Sequence, residues 1–70
     1  MTSRIRHPDT LVDVLAELRR LSAEVRRSRL RAIREELELD EMYYEAKGST
    51  GGLGRVRRCL ALVDASLEEL

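Results

Sequence analysis

Seventy residues with zero formal net charge, 43% apolar, 37% charged and 3% aromatic side chains leave room for one small domain and exclude a generous core, because a chain this short buries roughly 60% of its unfolded surface. No run of about 18 apolar residues is present to span a membrane, and Met1 to His7 lack the apolar stretch of a signal peptide, so a cytoplasmic location is expected. One cysteine, Cys59, and one histidine, His7, supply neither an internal disulfide nor a zinc-ligand set; stability is expected from helix packing, self-association or a partner.

The elements follow in chain order. Residues 1–7 are read as flexible. The only proline, Pro8, stands where a helix starts, and Thr10 and Asp13 are spaced as a capping box with Asp in place of Glu. No glycine or proline intervenes before Gly48, so one continuous helix is predicted over about 9–47, roughly 57 Å long at 1.5 Å per residue. Gly48 to Gly54 holds four glycines in seven residues and reads as a hairpin tip. A second helix is predicted over about 55–70, with Ser49 or Thr50 as candidate caps before a first turn that the glycines leave frayed.

The second helix carries Leu53, Val56, Leu60, Val63, Leu67 and Leu70, an unbroken three-four spacing that defines one apolar seam. The first helix carries two series, Leu11, Val14, Leu18, Leu21 and Val25, then Leu30, Ile33, Leu37 and Tyr44, rotated by roughly 100° from each other at 100° per residue. Folding back at the tip sets Val56 by Tyr44, Val63 by Leu37, Leu67 by Ile33 and Leu70 by Leu30. It also sets Arg55 and Arg58 beside Glu45 and Glu41, and Glu69 beside Arg31, leaving Asp64 near Glu36 as a mismatch. The expected fold is therefore all-α: a long helix plus a shorter helix forming an antiparallel αα-hairpin, one domain over 1–70.

In that arrangement residues 10–29 of the long helix overhang. Leaving Leu11, Val14, Leu15, Leu18, Leu21 and Val25 in water forfeits about 1.5–3 kcal/mol per fully buried aliphatic side chain, more than so small a fold can spare. These residues are the expected partner or dimer interface, giving a dimeric helical bundle, coiled-coil in its packing. Tyr43, placed off the hairpin seam, joins them as an exposed aromatic anchor.

Charge is blockwise. Residues 19–34 hold seven arginines against Glu24, and residues 35–45 hold six acids and no base. Arg20, Arg27, Arg31 and Arg34 share one face of the helical wheel, a ridge able to meet phosphates, although Glu17, Glu24, Glu35 and Glu38 stand three or four residues from them as ordinary helix-surface pairs. A pI of 6.6 is low for a dedicated nucleic-acid binder.

Two resemblances extend this reading. Arg4-Ile5-Arg6, then Pro8-Asp9-x-Leu11-x3-Leu15-x-Glu17-Leu18, then Ser28-Arg29-Leu30-x2-Ile33-Arg34 resembles the strand and two helices of ribbon-helix-helix repressors and antitoxins over about half the chain. Leu21 to Val25 stand where that family's turn normally carries glycine. The resemblance implies that Arg4 and Arg6 reach bases from a paired strand in the major groove. The chain length and the spacing of Tyr43 to Leu53 are also similar to the small helical-hairpin co-chaperones of type III secretion needle subunits. That likeness implies holding an aggregation-prone helix against an apolar groove.

No catalytic constellation emerges. Lys47 precedes the glycines, whereas a phosphate-binding loop needs Lys and Ser/Thr after them, at the head of a helix and behind a strand. Asp40, Glu41, Glu45 and the neighbouring glutamates lie on differing faces without a histidine, so neither a metal nor a cofactor site is expected. Cys59 is flanked by Arg57 and Arg58, which favour a thiolate, yet it borders the apolar seam and reads as structural. Nothing forms a nucleophile, base and orienting group, so the chain is expected not to be an enzyme and to have no small-molecule substrate. The expected function is a non-catalytic protein–protein interaction module, adaptor or chaperone-like, that pairs with itself as a homodimer or captures a helical protein. The second expectation is a dimeric DNA-binding regulator using Arg4 and Arg6 or the arginine ridge.

Overall fold

The computed structural model describes residues 4–70 and shows three α-helices, not two. A short 3-10 turn over Arg4–Arg6 leads into α1, Pro8–Leu18, followed by α2, Ala23–Lys47, and α3, Thr50–Glu68. The molecule measures 38 × 21 × 17 Å, so α2, about 37 Å long at 1.5 Å per residue, spans it end to end. A helix of 57 Å has no place in it. Of the residues expected to be flexible, Arg4 to Arg6 form the turn and His7 is the extended N-cap of α1; residues 1–3 lie outside the described residues.

Pro8 starts α1 as expected, its fixed φ and missing N–H costing nothing in a first turn. Thr10 does not cap the helix. It lies inside α1 and its hydroxyl donates to the carbonyls of Arg4, at 2.6 Å, and His7, at 3.2 Å, tying the 3-10 turn to the helix.

The expected continuous helix over 9–47 breaks at residues 19–22. The amides of Arg20 and Leu21 bond to the carbonyls of Glu17 and Leu18, three residues back, which tightens the end of α1. Ser22 then turns extended, with ψ at 157°, and its hydroxyl oxygen accepts from the Val25 amide at 3.3 Å. This is an N-cap, and Glu24 in the first turn favours the positive end of the new helix.

The second correction concerns the glycines. Only Gly48 and Ser49 separate α2 from α3. Gly48 is left-handed, with φ 71°, and the amides of Gly48 and Ser49 bond to the carbonyls of Glu45 and Tyr44 in a Schellman closure. Ser49 accepts from the Gly52 amide at 3.3 Å, so α3 opens on the glycines that were expected to form the tip. Gly52 has a packing reason to be there: a Cβ on it would lie 2.5 Å from the Tyr44 ring. The ring occupies the space that a side chain would fill.

Helices α2 and α3 run antiparallel, fixed by Arg34 against Asp64, Glu41 against Arg57 and the Tyr44 hydroxyl, which accepts from Arg55. The individual pairs differ from expectation. Arg57, not Arg55 or Arg58, takes Glu41 and Glu45; Asp64 takes Arg34; and Glu69 meets Arg19 rather than Arg31.

Freed by the break, α1 turns back onto this pair and packs with α3 and the 3-10 turn. One core results, formed by Leu11, Leu15, Leu18, Leu30, Leu37, Val56, Cys59, Leu60 and Val63, with Ile5, Val14, Ile33 and Tyr44 among the half-buried residues packed against it. The two-helix hairpin with an unpartnered overhang is thereby overturned. So is the coiled-coil dimeric bundle built on that overhang, since Leu11, Leu15 and Leu18 are buried within the chain itself.

Candidate partner-binding face

Folding α1 back redistributes the expected interface residues. Leu11, Leu15 and Leu18 are core, Val14 is half-buried against it, and only Leu21, Val25 and Tyr43 remain exposed. Leu21 and Val25 flank the Ser22 cap, where the chain turns from α1 into α2.

The larger exposed apolar surface lies on α2. Its inward face is used by Leu30, Ile33, Leu37 and Tyr44. On the opposite side Leu39, Met42 and Tyr43 are 65%, 64% and 57% exposed. With Ala46 they stand at i, i+3, i+4 and i+7, one stripe of a helix. Tyr43 is held by an edge-on contact with the Tyr44 ring, centroids 5.5 Å apart, and by the Lys47 ammonium 5.3 Å from its centroid. The Tyr44 ring in turn is fixed over Gly52 and carries the Arg55 guanidinium 5.7 Å from its centre. Met42 brings a flexible, polarisable thioether to the surface.

Acids border the stripe. Glu38 is bonded by Arg34 at 2.6 Å and Glu41 by Arg57 at 2.9 Å, whereas Glu35 makes no ion pair among the described residues. A depression of about 460 Å³ beside Leu39 and Met42 is walled by Glu35, Glu38 and Glu41. A second, of about 430 Å³, lies farther toward the start of α2 over Ser28 and Ala32, edged by Arg27 and Arg31 and by Glu24 and Glu35.

The arginines divide into two groups. Arg4 meets Glu17 at 2.7 Å, Arg6 meets Asp40 at 2.8 Å, and Arg34 meets both Asp64 and Glu38. The Arg34 guanidinium is thereby held further into its charged range, chiefly by the hydrogen bond to Asp64. Arg20, Arg27 and Arg31, like Arg26 and Arg29, make no ion pair among the described residues. The strand that the ribbon-helix-helix resemblance implies is a 3-10 turn here, and Arg4 and Arg6 are turned onto acids of the same chain.

Cys59 is fully buried, and burial pushes its thiol above its usual range against the opposing pull of Arg55 and Arg58; it is packing, not a poised thiolate. Among the described residues no group of three or more His, Cys, Asp or Glu side chains is placed to hold a metal ion, and no helix is long and apolar enough to cross a membrane.

The sequence reading named Tyr43 and missed Leu39 and Met42. The signal was available, since positions 39, 42, 43 and 46 repeat at helical spacing opposite the series that starts at Leu30. The architecture defines a small all-α protein with a three-helix core and one apolar-striped outer helix face. Comparison with protein-family models, with curated proteins and with solved structures finds no match to this chain.

Proposed function

We propose that the protein is a non-catalytic interaction module that docks a helix against the outer face of α2. The observation that carries this reading is the trio Leu39, Met42 and Tyr43, each more than half exposed on one stripe of a helix whose opposite stripe is fully engaged in the core. Burying such side chains under a partner is worth about 1.5–3 kcal/mol each, and a tyrosine held in place by its neighbours pre-organises the contact. The docked helix presents its own apolar residues at i, i+3, i+4 and i+7.

Photo-crosslinking tests this. A photoreactive phenylalanine replacing Leu39 is expected to give a discrete crosslinked species in the producing cell, and the same group replacing exposed Glu68 on α3 is expected to give none. The species disappears with Met42→Glu and Tyr43→Glu, substitutions that leave the helical circular dichroism unchanged. Absence of any species specific to position 39 overturns the proposal.

Nucleic-acid contact is the second reading, favoured by the unpaired Arg20, Arg27 and Arg31. It requires binding that weakens steeply between about 50 and 200 mM salt, and a duplex titration that shows none at the lower salt removes it.

A further inference from the structure

Helix α2 is divided along its length. Its first half carries Arg27 and Arg31 on one flank, which make no ion pair among the described residues, and its outer face there is small-sided, with Ser28 and Ala32 lining a depression of about 430 Å³ that Glu24 and Glu35 also edge. Its second half is acidic, and its outer face there is raised by Leu39, Met42 and Tyr43. Small and large outer side chains, base and acid, thus lie toward opposite ends of one 25-residue helix.

We infer that the helix docked on α2 is α2 of a second copy of this chain, antiparallel, about a two-fold axis passing between Glu35 and Glu36. The inference rests on the docking reading above and names its occupant. Both helices rise equally per residue, so this axis sets Ala32 opposite Leu39, Ser28 opposite Tyr43 and Val25 opposite Ala46 of the other copy. Each small position receives a larger one or an equal. The flank obeys the same symmetry. A two-fold axis perpendicular to the helices brings like flanks together, and Arg27, Arg31, Glu38 and Glu45 all lie on one flank by their 100° spacing. Arg31 of each copy therefore comes within two residues' rise of Glu38 of the other, and Arg27 within one of Glu45. Such a contact is self-complementary, as a two-fold interface must be.

A basic amphipathic helix from another protein would use the acidic half alone. It would leave both the Ser28–Ala32 depression and the unpaired arginines unaccounted for, and self-pairing uses both. The pairing carries one adverse contact, Glu35 of each copy against the acids at the axis, so Glu35→Gln strengthens the association.

Light scattering across a concentration series, with a charge-swapped pair of variants, tests the inference. The unaltered chain is expected to reach twice the 8.0 kDa of one chain. Arg31→Glu and Glu38→Arg, each alone, place two like-charge pairs across the axis and weaken association by roughly ten-fold or more. Mixed in equal amounts, they re-form one pair in its original sense and one reversed, and the doubled mass returns. Circular dichroism of each variant confirms that the fold persists, and Arg31→Gln and Glu38→Gln, each expected to weaken association alone and to regain one of the two native pairs when mixed, serve where a reversal unfolds the chain. A monomeric mass at every concentration, with the crosslinked species at Leu39 still present and containing a different protein, overturns self-pairing and leaves the docking reading standing. A monomer with no such species overturns both. A dimer whose charge-swapped variants fail to rescue each other overturns the antiparallel register.

Discussion

Gly52 and Glu17 show how single side chains set this fold. Three glycines lie in the first turns of α3, each costing about 1 kcal/mol against alanine in a helix, but only Gly52 is required by its surroundings. Gly51 and Gly54 face open space, whereas a Cβ on Gly52 meets the Tyr44 ring. Gly54→Ala is therefore expected to raise stability by about 0.5–1 kcal/mol. Gly52→Ala is expected to lower it by about 1–3 kcal/mol despite the same gain in propensity, and denaturant midpoints of the two variants check the opposite signs. Glu17 is held below its ordinary value of 4.5 by the hydrogen bond and charge of Arg4. Its folded value is depressed, so the stability it adds is fully present above the unfolded value and is lost as pH falls through the folded one. The thermal midpoint of the unaltered chain is expected to exceed that of Glu17→Gln at pH 7, with the gap narrowing as pH falls below 4.5. A gap independent of pH contradicts the assignment.

At the scale of elements, the decisive event is the break between α1 and α2. The all-α class was legible because propensity, Pro8 and the apolar spacing agree, and the antiparallel run of α3 on α2 followed from matching seams. The break was also written in the chain, in the 100° offset between the Leu11 and Leu30 series, for one straight helix cannot bury two faces in one small core. What hid it was the absence of glycine or proline near residue 22. A hydroxyl cap ends one helix and starts another without either, and Ser22 followed by Ala23 and Glu24 is such a signal. The glycines misled for the converse reason: their meaning depends on Tyr44, far enough away in the sequence that no local rule pairs them. Ser22→Ala is expected to cost about 1 kcal/mol, read as a lower thermal midpoint. A midpoint unchanged within error would mean that the turn is set by α1 packing alone.

The fold-back leaves the longest helix of the described residues with two distinct faces. With α1 tucked against α3, Leu11, Leu15 and Leu18, which sequence alone assigned to an intermolecular seam, are spent on the chain's own core, and α2 spans the 38 Å length of the molecule with one stripe inward and one outward. The outward stripe was legible only in part, since exposure of Leu39 and Met42 depends on which side α3 occupies.

Isotope-filtered methyl nuclear Overhauser spectroscopy on an equal mixture of carbon-13-labelled and unlabelled chains tests this division most directly, because it separates contacts within a chain from contacts between chains. Leu11, Leu15 and Leu18 are expected to show contacts to α3 side chains within their own chain only, with any intermolecular contacts confined to the outer face of α2. Intermolecular contacts from Leu11, Leu15 or Leu18 would contradict the fold-back of α1 and restore the seam to an interface between molecules.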